Sequence, residues 1–195
     1  MRRLFLIRHA ESEWNAQGRW QGHADPPLTD RGRADAGAIA GWFEGRVAGV
    51  ASSDLRRARQ TAQIVADRLG SATVVVDANL REIDVGEFMG LTRDEIDRRW
   101  PGFVDRWRSG EVESLPGGED RTVFRKRIMA GLESVSALAS DGPLLVVTHA
   151  TAIGVLEGHL GVHPGTPMPR LCGRWFELDG ELRAVGDRVP VANGT

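Results

Sequence analysis

Arg8-His9-Ala10-Glu11-Ser12-Glu13-Trp14-Asn15, followed by Arg19-Trp20-Gln21-Gly22, gathers a cation, a candidate nucleophile, a hydroxyl and two amides into one short stretch. A phosphoryl pocket needs that set. A neutral imidazole can attack phosphorus and carry the group covalently, which replaces one hard step with two easier ones. The three peripheral oxygens of the group then need donors already in place. Arg8, Ser12, Asn15 and Gln21 offer them. A second histidine, His149, follows Thr148 late in the chain. Alone, either histidine reads first as an ordinary residue at the end of a strand. Two of them, one preceded by arginine, point to a site.

The elements that must position these residues are legible as hydrophobic patterns. Leu4-Phe5-Leu6-Ile7 and Leu144-Leu145-Val146-Val147 are short continuous apolar runs, as expected of parallel strands buried on both faces. Val74-Val75-Val76 and the Val47 to Ala51 run read the same way. Helical spacing joins Ala36, Ile39, Ala40 and Phe43 behind Thr29-Asp30, and Leu55, Ala58, Ala62, Val65, Ala66 and Leu69 behind Ser53, with Thr29 and Ser53 as expected N-caps. A third helix is expected to open near Asp120, with Phe124, Ile128, Leu132, Val135 and Leu138 inward and Asp141-Gly142-Pro143 as its stop. A fourth should follow His149.

Strands alternating with helices predict an α/β fold of three layers, with a mainly parallel central sheet and helices on both faces. In such sheets ligands bind beyond the carboxyl ends of the strands, where both histidines fall. The charged and aromatic segment of about 83–118, with Trp100, Phe103, Trp107 and arginines 98, 99, 106 and 108, reads as a small helical insertion over the active site. Its arginines and aromatics suit an anionic or ring-bearing substrate as well as they suit a solvated face. Arg174 to Val189, with a turn at Asp179-Gly180, predicts a hairpin, and Ala192 to Thr195 should fray.

A length of 195 residues with 41% hydrophobic content suits a single domain, 1–195. The 25 Lys plus Arg against 27 Asp plus Glu give a net charge of −2, which offers nucleic acid or an anionic membrane no overall attraction. The apolar run before Arg8 is too short for a signal peptide, and the lone Cys172 permits no intrachain disulfide, so a cytoplasmic location is expected. A monomer or homodimer is the expected state.

Taken together, the motifs resemble the histidine phosphatase superfamily, in particular its branch of small broad-specificity phosphatases. The family's Arg-His-Gly, Glu, Ser or Thr, and Asn pattern matches Arg8 to Asn15, and further stretches follow in family order. These are Leu28-Thr29-Asp30-Arg31-Gly32, Ser52 to Ala62, Leu80 to Gly90, Pro116-Gly117-Gly118-Glu119-Asp120, and Val146-Val147-Thr148-His149. The resemblance implies hydrolysis of small phosphate monoesters through a phosphohistidine on His9, without a cofactor or metal. It implies that Arg8, Arg57 and His149 surround the transferred group, that Asn15 and Gln21 add neutral donors, and that Glu82 is the general acid and then the base. Ser12, Gly22 and Ala150 complete the expected substrate contacts.

Arg57 is taken rather than Arg56 because the family arginine directly precedes alanine; its place in the first turn of a helix also favours an oxyanion. Asp84 and Glu87 compete with Glu82. Ala10 and Ala150 stand where the family has glycine, which would add strain if either position needs positive φ. His159 and His163 stand four apart, but Gly161 and Pro164 disfavour a regular helix there, and neither they nor His23 make a metal site. Trp14 and Trp20 read as pocket wall or as core. The competing functions are a phosphoglycerate mutase, which the short span between Gly90 and Gly118 disfavours, and a phosphate-binding protein without catalysis.

Overall fold

The computed structural model describes residues 1–70, 73–138, 142–162, 166 and 168–191. His163, Pro164, Asp141 and Ala192 to Thr195, singled out above, lie outside the described residues. A six-stranded sheet runs in the order β3-β2-β4-β1-β5-β6. Its strands are β1 (Arg2–Arg8), β2 (Gly49–Ser53), β3 (Val74–Asp77), β4 (Leu144–Thr148), β5 (Cys172–Asp179) and β6 (Glu181–Pro190). The first four are mutually parallel, and the expected hairpin adds β5 and β6 antiparallel beyond β1.

The apolar runs of β1 and β4 have the reason proposed for them, whereas Val74-Val75-Val76 does not: β3 is an edge strand, paired on one side only, and Val76 is 45% exposed. Leu4, Phe5, Leu6 and Ile7 are all 0% exposed, and alternation splits them between two cores. Leu4, Leu6 and Val146 face one side with Phe124, Ile128, Leu132 and Ile153; Phe5, Ile7 and Val147 face the other with Ala36, Phe43, Ala58, Ala62 and Val65. Each fully buried side chain of this size contributes about 1.5–3 kcal/mol. After the short turn α1 (Glu13–Ala16), the helices that cover the sheet are α2 (Asp30–Ala38), α3 (Ala40–Phe43), α4 (Arg56–Arg68), α7 (Arg121–Leu138) and α8 (Ala150–His159).

Local expectations held unevenly. Thr29 caps α2 by accepting from Gly32 N at 2.9 Å, but the helix expected through Phe43 breaks at Ile39 into α2 and α3. Trp42 N instead bonds Ile39 O at 3.0 Å, a tighter turn that keeps Ala36, Ile39, Ala40 and Phe43 buried. Ser53 is not the cap of α4. Leu55 holds that position without a side-chain bond, and Asp25 from a distant loop accepts from Arg56 N at 2.5 Å. Asp120 does open α7, accepting from Thr122 N and Val123 N. Leu138, expected inward, ends that helix 70% exposed.

The insertion carries α5 (Arg93–Arg99) and α6 (Phe103–Ser109). Its two ends are pinned together by Glu87 N to Pro116 O and Glu119 N to Asp84 O, each 2.9 Å. Gly86 sits between them at φ +52°, and a Cβ there would collide with the backbone of Pro116, Gly117 and Gly118. Phe88 packs against Trp20, Trp100 and Phe103, and Trp20 against Trp107, which fixes the insertion over the strand ends.

Candidate active site

Because β1 and β4 are paired with Arg8 opposite Thr148, the chain leaves both strands side by side. His9 and His149 follow, with ring centroids 5.2 Å apart and planes at 61°. Both are buried, at 3% and 0% exposure. His9 Nδ1 lies 2.7 Å from Ala10 O. A carbonyl only accepts, so Nδ1 carries the proton and Nε2 keeps its lone pair. Arg57 Nε donates to that lone pair at 3.2 Å. Burial, and then the charge of Arg57, push both histidines well below the usual imidazole range. Each is therefore neutral near pH 7, and Nε2 of His9 is the atom able to attack phosphorus.

Arg57 is the largest fully buried side chain. Its NH1 donates to Ala24 O at 2.8 Å and its NH2 to Gly22 O at 2.9 Å, so a loop far away in sequence aims the guanidinium. Burial lowers its pKa to about 10, with the charges of Glu82 and Asp25 opposing, and it stays a cation at neutral pH. Gly22 makes the loop possible: it has φ +50°, and a Cβ would come 2.6 Å from Val85 Cγ2. Arg8 donates to Met168 O at 2.7 Å and leaves its buried Nε without a partner.

A cavity of about 730 Å³ opens beside these groups, with Arg8, His9, Asn15, Gln21, Gly22, Arg57, Glu82 and Ala150 on its wall. Two expected residues lie behind it. Ser12 is fully buried and caps α1, accepting from Asn15 N at 3.3 Å. Its hydroxyl also reaches Gln21 Oε1 at 2.8 Å and Asn15 Oδ1 at 3.0 Å. The hydroxyl has one proton, which the shorter contact assigns to Gln21 Oε1, while Asn15 Oδ1 accepts from Ser12 N at 3.2 Å; Ser12 thus orients both amides and leaves their NH₂ ends available. His149 stands behind His9, its Nε2 2.9 Å from Ser53 Oγ and its buried Nδ1 without a partner.

Glu82 alone of the three competing carboxylates reaches the cavity wall. Its Oε1 accepts from Ile83 N at 2.9 Å and its Oε2 from Thr151 N at 3.3 Å. His23 Nε2 donates to the Glu82 carbonyl at 2.9 Å, which gives that histidine a positioning contact. Asp84 is engaged in the insertion's neck, accepting from Gly86 N, and Glu87 is exposed. Arg56 is exposed as well. Ala10 and Ala150 bring no strain, since among described residues only Leu171 is a non-glycine with positive φ.

Of the insertion residues, Trp107 and Arg108 line the cavity, whereas Arg106 lies over the Phe103 ring. Trp20 belongs to both wall and core, and Trp14 packs near Gly90. Sequence reasoning missed Arg121, Glu157 and Arg188 on the wall. The helix expected after His149 could have suggested Glu157; nothing local marks Arg188. His159 Nδ1 lies 2.9 Å from Arg125 NH1, and among described residues no group of three His, Cys, Asp or Glu could hold a metal ion.

The family model described as "Histidine phosphatase superfamily (branch 1)" matches residues 4–172. The glucosyl-3-phosphoglycerate phosphatase of Mycolicibacterium vanbaalenii is 36% identical, over 96% of this chain and 88% of that protein. A Yersinia pestis protein named "Probable phosphoglycerate mutase GpmB" is also 36% identical, over 80% of this chain and 73% of its own. Among solved structures, a mycobacterial glucosyl-3-phosphoglycerate phosphatase with VO3 superposes with a TM-score of 0.80 at 31% identity, over 95% of this chain and 98% of that one. YhfR of Bacillus stearothermophilus gives 0.81 at 29% identity, over 98% and 100%.

Proposed function

We propose, from the premise that this chain belongs to branch 1 of the histidine phosphatase superfamily, that it hydrolyses small-molecule phosphate monoesters through a phosphohistidine on His9. The carrying observation is the His9 ring itself: Nδ1 is tied to Ala10 O, and the free Nε2 meets Arg57 on the wall of a cavity that also holds Glu82. In the first step Nε2 attacks phosphorus, the phosphorus–oxygen bond to the alcohol breaks, and Glu82 gives the departing oxygen a proton. In the second step the Glu82 carboxylate takes a proton from water, and that water's oxygen attacks phosphorus and frees His9. Arg8, Arg57 and the amides of Asn15 and Gln21 meet the three peripheral oxygens, and His149, buried behind His9, acts through the packing of that ring. Ser12 acts through the amides it holds, and Gly22 and Ala150 leave room for the substrate.

The two arginines and neutral donors supply this charge stabilisation without a metal, so turnover should need none. The relatives' names suggest a phosphorylated glycerate or its glycosyl derivative as substrate. The short span between Gly90 and Gly118 favours hydrolysis over return of the group to a rotated product. We also read the chain as a single domain carrying an insertion at about 83–118, working in the cytoplasm as a monomer or homodimer. No described helix is long and apolar enough to cross a membrane. Rapid quenching with labelled substrate should mark the protein with an acid-labile, alkali-stable label; equal label in His9→Ala would refute the assignment. With 3-phosphoglycerate and a bisphosphoglycerate primer, phosphate should appear faster than the isomer, and efficient isomerisation with little free phosphate would favour the mutase.

A further inference from the structure

The Ser52 to Ala62 stretch supplies Arg57 to the site, and the same helix turns a second polar side chain toward His9. Thr61 stands four positions after Arg57 in α4, one turn along and on the same face. It is 0% exposed, so it touches no substrate.

The Thr61 hydroxyl makes two bonds. It donates to the Arg57 carbonyl at 2.8 Å, and it accepts from Ala10 N at 3.1 Å, across 51 positions of chain. A carbonyl only accepts and an amide only donates, so the direction of both bonds is fixed. A threonine bonded to the carbonyl four residues back slightly weakens a helix, so α4 gains nothing from this hydroxyl. Valine has the same shape, so filling the space between α4 and the sheet does not require one either.

What the hydroxyl holds is Ala10. The Ala10 carbonyl takes the Nδ1 proton of His9 at 2.7 Å, while Arg57 Nε reaches Nε2 of the same ring at 3.2 Å. Both nitrogens of the imidazole thus depend on one turn of α4. Nε2 meets Arg57 directly, and Nδ1 meets the Ala10 backbone that Thr61 fixes.

The bond at Nδ1 gains importance during the reaction. When the Nε2 lone pair bonds to phosphorus the ring becomes a cation, and Nδ1–H becomes a charged donor, which makes a stronger bond. Burial and the charges of Arg57 and Arg8 oppose charge on this ring, whereas the Ala10 carbonyl favours it. An interaction that is stronger in the transition state than in the ground state raises the rate rather than the affinity.

We propose that Thr61 is a positioning residue for phosphoryl transfer: its hydroxyl fixes the Ala10 backbone so that the carbonyl holds His9 Nδ1–H while Nε2 attacks. The inference rests on the phosphohistidine reading.

The test uses variants of the intact protein. Thr61→Val keeps the shape and removes the hydroxyl. Thr61→Ser and Thr61→Ala both lack the methyl and differ from each other by the hydroxyl alone. Val65→Ala, in the core one turn further along α4, measures what lost packing does by itself. Single-turnover phosphorylation by p-nitrophenyl phosphate should be about tenfold slower in Thr61→Val with the half-saturating concentration unchanged, the effect of leaving one buried donor unpaired. Thr61→Ser and Val65→Ala should keep the wild-type rate, and Thr61→Ala should match Thr61→Val, so the serine and alanine pair decides if the valine variant fails to fold. A second readout needs no turnover. The His9 Nδ1–H proton resonance, identified by its loss in His9→Asn, should exchange with water about tenfold faster in Thr61→Val and Thr61→Ala than in the wild type and Thr61→Ser. Equal rates or equal exchange in Thr61→Ser and Thr61→Ala would overturn the proposal, as would a loss in Val65→Ala as large as that in Thr61→Ala. Failure of the phosphohistidine reading would show differently, as no label on His9 even in the wild type, with the exchange difference intact.

Discussion

Acidification from about pH 7.5 to about pH 5.5 should cost the folded protein about 2.7 kcal/mol through two buried histidines. His9 and His149 are both buried and both neutral, with pKa values well below the imidazole norm. In the unfolded chain each returns to about 6.5. Below that pH the unfolded state binds two protons that the native state refuses, so stability falls as pH falls, and above it the pair contributes no pH dependence. Each histidine gives up about 1.4 kcal/mol between those two pH values, and the pair about twice that. Against a typical domain stability of about 5–15 kcal/mol the loss is large. The depressed carboxyls of Asp54, Glu95 and Asp120 act at more acid pH, so this window is theirs only weakly. Urea unfolding across the range, followed by tryptophan fluorescence, measures the slope. His9→Asn and His149→Asn should each remove about half of it. A flat profile in the wild type, or a slope that neither variant changes, would refute the picture of two neutral buried rings.

The remaining expectations concern the chemistry and the insertion. Glu82→Gln should slow phosphorylation by a poor leaving group, such as a sugar phosphate, about a hundredfold to ten-thousandfold, and by p-nitrophenyl phosphate far less; equal losses in single turnovers would remove Glu82 as the acid. Exhaustive chelation should leave turnover unchanged, and activity that magnesium or zinc restores would count against charge stabilisation by arginines alone. Gly86→Ala should loosen the insertion's neck, seen as faster hydrogen exchange between Phe88 and Gly118 and a raised KM, because a Cβ there meets the Pro116 backbone; a variant as protected as the wild type would contradict the packing. Arg57→Lys should lose most of kcat although charge is kept, since one ammonium cannot hold Ala24 O, Gly22 O and His9 Nε2 together.

Much of the candidate site was legible in the chain because it lies where local patterns end. His9 and His149 follow two apolar runs, and a parallel sheet brings the ends of such runs together. Thr29 and Asp120 could be read as caps because capping is a bond to an amide two or three residues away. Ser53 could not: the cap that α4 receives comes from Asp25, thirty-one positions distant. The same limit hid the role of Ser12, which orients Asn15 and Gln21 from behind the wall, and the choice of Glu82 over Asp84 and Glu87, which depended on where the insertion's neck folds back. The sequence by itself determined the strand–helix alternation, the pairing of two histidines with arginine, and the family motifs, since these depend on residue type and short spacing. Only the tertiary structure decided which His9 nitrogen is free, which atoms aim Arg57, and that Glu157, Arg188 and Trp107 share one cavity. Those outcomes follow from contacts between segments far apart in the chain, and hydrophobic periodicity carries no information about which side chains such segments bring within hydrogen-bonding distance.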